Sequence, residues 1–131
     1  MRSRKKTLKL QVKKARIGRG VFAGEPIKRG HRITEYTGRV LTLEQEERSR
    51  SRYLFGIGRK TIDGWVAGNI ARFINHSCRP NCEAYIRNGR VFIFARRAIK
   101  AGEELAYDYG PSYFEEEIKP IGCKCSKCSA D

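Results

Sequence analysis

The chain has 131 residues, of which 40% are hydrophobic, and this predicts one folded domain with one modest core rather than a disordered chain. No apolar run approaches the length of a membrane span, and the basic N-terminus lacks the apolar segment of a secretory signal, so we expect an intracellular protein without membrane contact. The formal net charge is +14, which predicts attraction to polyanions such as DNA or RNA.

The first predicted element lies in a basic N-terminal arm, residues 1–14, which contains no acidic residue. Leu8, Leu10 and Val12 alternate there with polar residues, as in a half-buried strand. We expect this arm to contact DNA through its charge, although charge alone provides no element that reads bases.

Short elements separated by turns follow the arm. The glycines of the segment Gly18–Gly20 predict a tight turn that lets the backbone approach a ligand closely. Thr42-Leu-Glu-Gln45 has the form of a capping box, which predicts a short surface helix running to about Arg50. The strands predicted in this half of the chain are Ile33–Tyr36, Tyr53–Ile57 and Thr61–Asp63.

The most informative stretch runs from Arg72 to Cys82 and reads RFINHSCRPNC. One-turn spacing of apolar residues predicts a short helical turn over residues 68–74. Asn75, His76 and Ser77 then place three different hydrogen-bonding side chains in consecutive positions. A purely structural role, such as a helix end, a polar turn or a buried thiol, would explain each of these residues singly. It would not explain why all of them occur together in one eleven-residue segment.

Two further features come after this stretch. Asn88-Gly89 lies between two alternating segments, 83–87 and 91–95, which is a strong signal for a β-hairpin. A strand is then predicted over Leu105–Tyr109. In that strand Tyr107 and Tyr109, two residues apart, would share one face.

Three of the five cysteines lie close together near the C-terminus, at Cys123, Cys125 and Cys128. This spacing suits a thiolate metal site better than a set of disulfides, and it favours a reducing compartment. Three thiolates do not complete a tetrahedral structural zinc site, which needs four ligands.

Several motifs occur together in one order: Gly18–Ala23 (GRGVFA), Glu35–Gly38 (EYTG), Asn75–Cys78 (NHSC) and Gly102–Gly110 (GEELAYDYG). The sequences and the order of these motifs resemble those of SET-domain protein-lysine methyltransferases. The resemblance implies a mainly β fold of small curved sheets with short helices and a C-terminal pseudoknot, followed by a zinc-binding post-SET tail. The implied domains are the arm at 1–14, a SET domain at 15–114 and the tail at 115–131. Without flanking domains, the chain resembles a stand-alone, bacterial-type member.

The resemblance also assigns a cofactor, S-adenosylmethionine, and the residues that contact it. It implies that Arg72, Asn75 and His76 contact the carboxylate, amino group and adenine of the cofactor. The other residues implied to bind the cofactor are Gly18, Arg19, Gly20, Tyr109 and Tyr113. Arg19 stands where many members carry a large apolar residue.

The catalytic residue implied by the resemblance is Tyr109, and a lysine channel is implied at Tyr53 and Tyr107, with Phe55 as a further candidate. A structural zinc ion is implied at Cys78, Cys123, Cys125 and Cys128, which leaves Cys82 as a small core residue. The tail spacing Cys-x-Cys-x2-Cys is shorter than the Cys-x-Cys-x4-Cys that is commoner in the family.

The implied function is therefore N-methylation of lysine in a histone or another basic protein. A Tyr at position 107 indicates mainly mono- and dimethylation. Two other hypotheses remain: a basic, zinc-containing nucleic-acid-binding module, and a catalytically silent SET fold. We expect the protein in a bacterial cytoplasm, or in a nucleus on chromatin if it is eukaryotic or delivered to a host. The sequence specifies neither the target lysine nor the oligomeric state.

Overall fold

A computed structural model describes residues 8–15, 18–51, 53–57 and 60–109. Tyr113 and the whole tail at 115–131, with its three clustered cysteines, therefore lie outside the described residues, as does the first half of the arm. The described chain is mainly β, as predicted. Its strands are β1 Leu10–Lys14, β2 Arg19–Ala23, β3 Arg32–Tyr36, β4 Arg39–Leu41, β5 Leu54–Ile57, β6 Lys60–Asp63, β7 Asn75–His76, β8 Cys82–Arg87, β9 Arg90–Ala95 and β10 Ala106–Tyr107.

The hairpin predicted from Asn88-Gly89 is confirmed and forms part of the three-stranded antiparallel sheet β3–β9–β8. Asn88 and Gly89 both have positive φ, 52° and 74°, as the type I′ turn of a two-residue hairpin requires. Alternation along β9 buries Val91, Ile93 and Ala95 on the inner face of the sheet.

A second antiparallel sheet has the order β4–β6–β5 and carries the one α-helix described, α1 Leu43–Arg48. The predicted capping box is confirmed: Gln45 N–H donates to Thr42 Oγ1, and Thr42 N–H donates to Gln45 Oε1. The helix ends at Arg48, two residues before the predicted end. Within the described residues no helix is long and apolar enough to cross a membrane.

The strand expected in the N-terminal arm is confirmed as β1, which pairs antiparallel with β2. The sequence did not predict β2, because its glycine-rich start signals a turn. Gly18 does turn the chain, with φ at 54°, and the backbone then enters β2 at Arg19.

The strand predicted over Leu105–Tyr109 was too long, because the structure restricts it to Ala106–Tyr107. These two residues pair in parallel with Asn75 and His76 of β7. Past Tyr107 the chain leaves the ladder, since the backbone N–H of Tyr109 donates to the His76 side chain.

The buried amide of Asn81 holds β10 in place. Its Nδ2 donates to the Glu104 carbonyl at 2.9 Å, and its Oδ1 accepts from Ala106 N–H at 2.9 Å. Its own carbonyl accepts from Arg96 N–H at 2.8 Å, so one residue joins the end of β9 to the entry of β10. Leu105 N–H donates to the Val21 carbonyl, so this segment contacts β2 as well as β7, while the expected threading stays a prediction.

One hydrophobic core lies between the sheets. Cys82 belongs to it, as predicted: it is fully buried, and burial raises the pKa of its thiol to about 12. The other largest fully buried apolar side chains are Val21, Ile27, Ile74, Val91, Ile93, Ile99 and Leu105.

Replacement of Gly38 by Ala is expected to destabilise the fold by about 1–3 kcal/mol or more. A Cβ at this position would lie 2.0 Å from the Asp63 carbonyl oxygen, so the β4–β6 pair would have to separate. Urea denaturation of the parent and variant measures the change.

Gly56→Ala is the matched control, since no atom of the described part of the chain lies within 4 Å of a Cβ there. Its stability should stay at or slightly above that of the parent. Equal effects of the two substitutions would contradict the steric explanation.

Candidate active site

The parallel pair β7–β10 brings together two stretches that are far apart in the sequence. Tyr107 lies opposite His76, and Ala106 lies opposite Asn75. Tyr109 follows directly, with its ring centroid 5.3 Å from that of His76 and 5.0 Å from that of Tyr107. The structure thus joins four residues predicted to function together: Asn75, His76, Tyr107 and Tyr109.

His76 is held as a neutral imidazole. Its Nδ1 accepts from Tyr109 N–H at 3.1 Å, so this nitrogen carries no proton, and the proton resides on Nε2, 3.4 Å from Cys78 Sγ. Burial lowers the pKa of His76, while the carboxylate of Asp108 raises it to a smaller extent. The ring therefore orients the chain around it and carries no charge at neutral pH.

Asn75 connects this pair of strands to the turn at Gly18–Gly20. Its Nδ2 donates to the Arg19 carbonyl at 3.0 Å and to Glu104 Oε2 at 2.8 Å. A Cβ on Gly20 would lie 2.4 Å from the same carboxylate oxygen, so glycine lets β2 approach Glu104 this closely. The expected ligand-binding backbone and Asn75 are thus parts of one hydrogen-bonded unit.

Glu104 is a site residue that the sequence did not single out. It lies in the string GEELAYDYG, where the two adjacent glutamates look alike. The structure distinguishes them, because Glu103 forms an ion pair with Arg97 at 2.9 Å on the surface. This pairing lowers the pKa of Glu103, whereas the carboxylate of Glu104 is directed toward Asn75.

Aromatic side chains line the space beside the tyrosine pair. Tyr107 is 5% exposed and packs against Phe55, with the ring centroids 6.3 Å apart. Tyr53 contacts Phe73 edge to face at 6.3 Å. The Tyr109 hydroxyl donates to the carbonyl of Ile74. The residues expected to form a channel thus take part in two aromatic contacts, Tyr53 with Phe73 and Phe55 with Tyr107, which together we call the aromatic wall.

Trp65 extends this wall and was also not predicted. It is 65% exposed, and its ring meets Tyr53 edge to face with 6.0 Å between centroids. It is the one Trp of the chain and follows Asp63 by two residues, which is the signal that could have drawn attention to it. An exposed indole at the end of an aromatic wall suits contact with another molecule.

Arg72 packs against Phe73 of the aromatic wall. Its guanidinium donates to the carbonyls of Val66 and Asn69 and lies 4.4 Å from the centroid of Phe73. The exposed Arg19 lies on the same ring at 6.0 Å. The contact of Arg72 with a cofactor carboxylate, expected from the resemblance, remains a prediction.

The predicted metal ligands are divided between described and undescribed parts of the chain. Cys78 is half-buried beside His76. The other three, together with the cofactor-binding candidate Tyr113, lie outside the described residues. Within the described ranges no group of three or more His, Cys, Asp or Glu side chains is placed to hold a metal ion.

Comparison with known families matches the SET domain to residues 18–110. Histone-lysine N-methyltransferase trr of Drosophila melanogaster is 38% identical over 121 residues, which cover 82% of this chain and 5% of that protein. Probable histone-lysine N-methyltransferase set-23 of Caenorhabditis elegans is 42% identical over 132 residues, which cover 85% of this chain and 54% of that protein.

Among solved structures, the polycomb repressive complex 2 of Chaetomium thermophilum contains a similar chain, with a TM-score of 0.74 and 30% identity. The likeness covers 81% of this chain and 16% of that one, so the present chain spans only part of each of these proteins. Because the family match extends over every strand from β2 to β10, the chain belongs to the SET-domain family.

Proposed function

We propose that this chain is an S-adenosylmethionine-dependent N-methyltransferase for lysine in a histone or another basic protein. The observation that carries the proposal is the β7–β10 pair, which joins Asn75 and His76 to Tyr107 and Tyr109. The names of the relatives, trr and set-23, describe histone-lysine methyltransferases. Purified protein that transferred no labelled methyl group to histones or to a basic bacterial protein would refute the activity.

The described residues fit a cofactor that carries a sulfonium ion. Oxygen atoms and aromatic rings stabilise such a cation, and the Ile74 carbonyl, the Tyr109 ring and the Tyr107 ring lie together beside β7. Among the residues that the structure describes, none lies within 4 Å of where a Cβ of Gly18 would be, so they leave the backbone just before β2 open to a ligand. Asn75 and His76 lie between these two features.

When bound, S-adenosylmethionine supplies an electrophilic methyl group. The substrate lysine must be neutral to accept it, and a free lysine has a pKa of about 10.4. The aromatic wall of Tyr53, Phe55 and Tyr107 lowers that pKa, because it removes the ammonium from water. Asn75 and His76 would hold the cofactor so that its methyl group faces the lysine nitrogen, and the methylated amine would release its extra proton to solvent. Tyr109 orients the reacting groups, so catalysis consists mainly of alignment.

A nucleic-acid-binding module that lacks cofactor affinity is the competing function. The family match and the pair of tyrosines beside β7 favour the enzyme. Calorimetry with S-adenosylhomocysteine distinguishes them, because a simple nucleic-acid-binding module would give no heat of binding. The same measurement, combined with an assay for transfer, would also identify a silent SET fold.

We further propose that zinc bound by Cys78, Cys123, Cys125 and Cys128 holds the tail near the site. Four thiolates are a suitable donor set for a structural zinc ion. The Nε2–H of His76 lies 3.4 Å from the sulfur of Cys78, an arrangement that favours the thiolate form required of a zinc ligand. The tail would then lie close to the residues that contact the cofactor.

Substitution of either Asn75 or His76 by Ala is expected to weaken binding of S-adenosylhomocysteine by about 1–3 kcal/mol. Each change removes hydrogen bonds that join β7 to the turn at Gly18–Gly20 or to Tyr109. Isothermal titration calorimetry gives the affinity, and thermal melting verifies that each variant is folded.

Tyr109→Phe is the companion variant, since it retains the ring and loses only the hydroxyl. We expect it to bind the cofactor product nearly as the parent does while turnover falls. Parental affinity in both alanine variants would remove Asn75 and His76 from the cofactor site.

Glu104→Ala is expected to weaken cofactor binding by about 1–2 kcal/mol, because Asn75 loses an acceptor of its amide, which is then less firmly oriented. Glu104→Gln retains an acceptor oxygen and should recover much of the affinity. Glu103→Ala is the matched control, as this carboxylate faces Arg97. If the two alanine variants bind equally well, Glu104 has no positioning role.

Tyr107→Phe is expected to raise the proportion of di- and trimethyl-lysine while the first transfer continues. A Tyr hydroxyl beside the amine accepts a hydrogen bond and holds a water, and both occupy the space that further methyl groups need. Mass spectrometry of a peptide product measures the distribution, which should be mainly mono- and dimethyl-lysine for the parent. Abundant trimethyl-lysine from the parent would contradict this role of Tyr107.

A further inference from the structure

The outer face of the sheet β3–β9–β8 carries an unusual set of side chains. Because Val91, Ile93 and Ala95 face the core, the alternate residues of β9 project outward. Strand pairing places Tyr85 opposite Phe92 and Arg32 opposite Phe94. We call this surface the aromatic–arginine face; it consists of Arg32, Tyr85, Arg87, Arg90, Phe92 and Phe94.

The three rings form a continuous, accessible surface. Tyr85 is 53% exposed and meets Phe94 edge to face with 5.5 Å between centroids. The guanidinium groups of Arg32 and Arg90 lie 5.2 Å and 5.0 Å from the centroid of Phe92, so planar cations extend the π surface. These residues line an open groove of about 590 Å³. Flat molecules can stack on such a surface.

The three arginines of the face are incompletely balanced by its two carboxylates, Glu35 opposite Phe92 and Glu83 opposite Phe94. Arg87 and Arg90 lie directly opposite each other across the hairpin, and like charges in this position destabilise a sheet. Glu35 compensates Arg90 through two hydrogen bonds of 3.0 Å and 2.8 Å, which lower the pKa of Glu35. Arg87 forms no ion pair with any residue that the structure describes. An external anion next to Arg87 would therefore stabilise the hairpin end.

We propose that the aromatic–arginine face binds an unpaired strand of nucleic acid, which in a cell is mostly RNA. Such a strand combines the two features that the face complements: phosphates for the arginines and exposed base planes for the rings. A duplex would present its phosphates but keep its bases stacked inside. The net charge of +14 provides long-range attraction for the same partner.

This surface is separate from the candidate active site. It lies on the outward side of β9, whereas Tyr107 is buried in the core and pairs with His76 of β7. Loss of the face should consequently leave methyl transfer to a short peptide unchanged. The proposal therefore stands or falls independently of the proposed enzymatic function.

The test is binding of a fluorescein-labelled oligouridine of about 12 nucleotides, followed by fluorescence anisotropy. The variant with Tyr85→Ala and Arg87→Ala should bind about tenfold more weakly than the parent, because it loses one stacking platform and one phosphate contact. Tyr85→Phe retains the ring and should bind as the parent does. Circular dichroism verifies that the exposed substitutions leave the fold intact.

The matched control combines Leu43→Ala with Arg48→Ala on helix α1, which removes one exposed apolar side chain and one arginine elsewhere. It should change the affinity by less than about twofold. This control separates the face from a general effect of charge and from contacts made by the basic arm, which every variant retains.

Three results would overturn the proposal. Unchanged binding in the double variant would exclude the face as the site. Equal affinity for a duplex of the same length would show that phosphates alone are bound. Competition by polyglutamate as effective as by unlabelled oligouridine would identify an acidic polypeptide as the better partner. Similar affinity for single-stranded DNA would support the proposal, because stacking and phosphate contacts do not depend on the 2′-hydroxyl.

Discussion

The candidate site depends on the two hydrogen bonds that the buried amide of Asn81 makes with the backbone at Glu104 and Ala106. A parallel ladder of two residues is too short to hold β10 against β7 unaided. Loss of the amide would leave a buried carbonyl and a buried N–H without partners, at a cost of about 1–3 kcal/mol each. Since Tyr107 and Tyr109 follow directly, this side chain helps to position the backbone from which both tyrosines extend.

Local signals in the sequence predicted local structure well. The Asn88-Gly89 hairpin and the Thr42–Gln45 capping box are both present, because each is determined by backbone and side-chain geometry within a few residues. The strand over 105–109 was predicted too long for the opposite reason. The strand ends early because Tyr109 N–H donates to the side chain of His76, 33 residues away in the sequence, and so does not take part in strand pairing.

The same distinction applies to the site. Motif resemblance identified Asn75, His76 and Tyr109, and the structure brings all three together. It did not reveal the roles of Asn81 and Glu104, because a buried amide in a Pro-Asn turn and one of two adjacent glutamates look ordinary in a sequence. Their roles arise from contacts across the fold, which periodicity and spacing do not encode.

The position of β10 has a consequence for how the protein is made. The hairpin β8–β9 joins neighbouring residues and is expected to form early, whereas β7 and β10 must close a long loop before they pair. During synthesis the ribosome releases Ala95 before Tyr107, so the three-stranded sheet is complete while β7 still lacks its partner. Pairing of β10 with β7 is therefore a late folding step that also assembles the candidate site, and a nascent chain stopped before Tyr107 would contain the three-stranded sheet but lack that site.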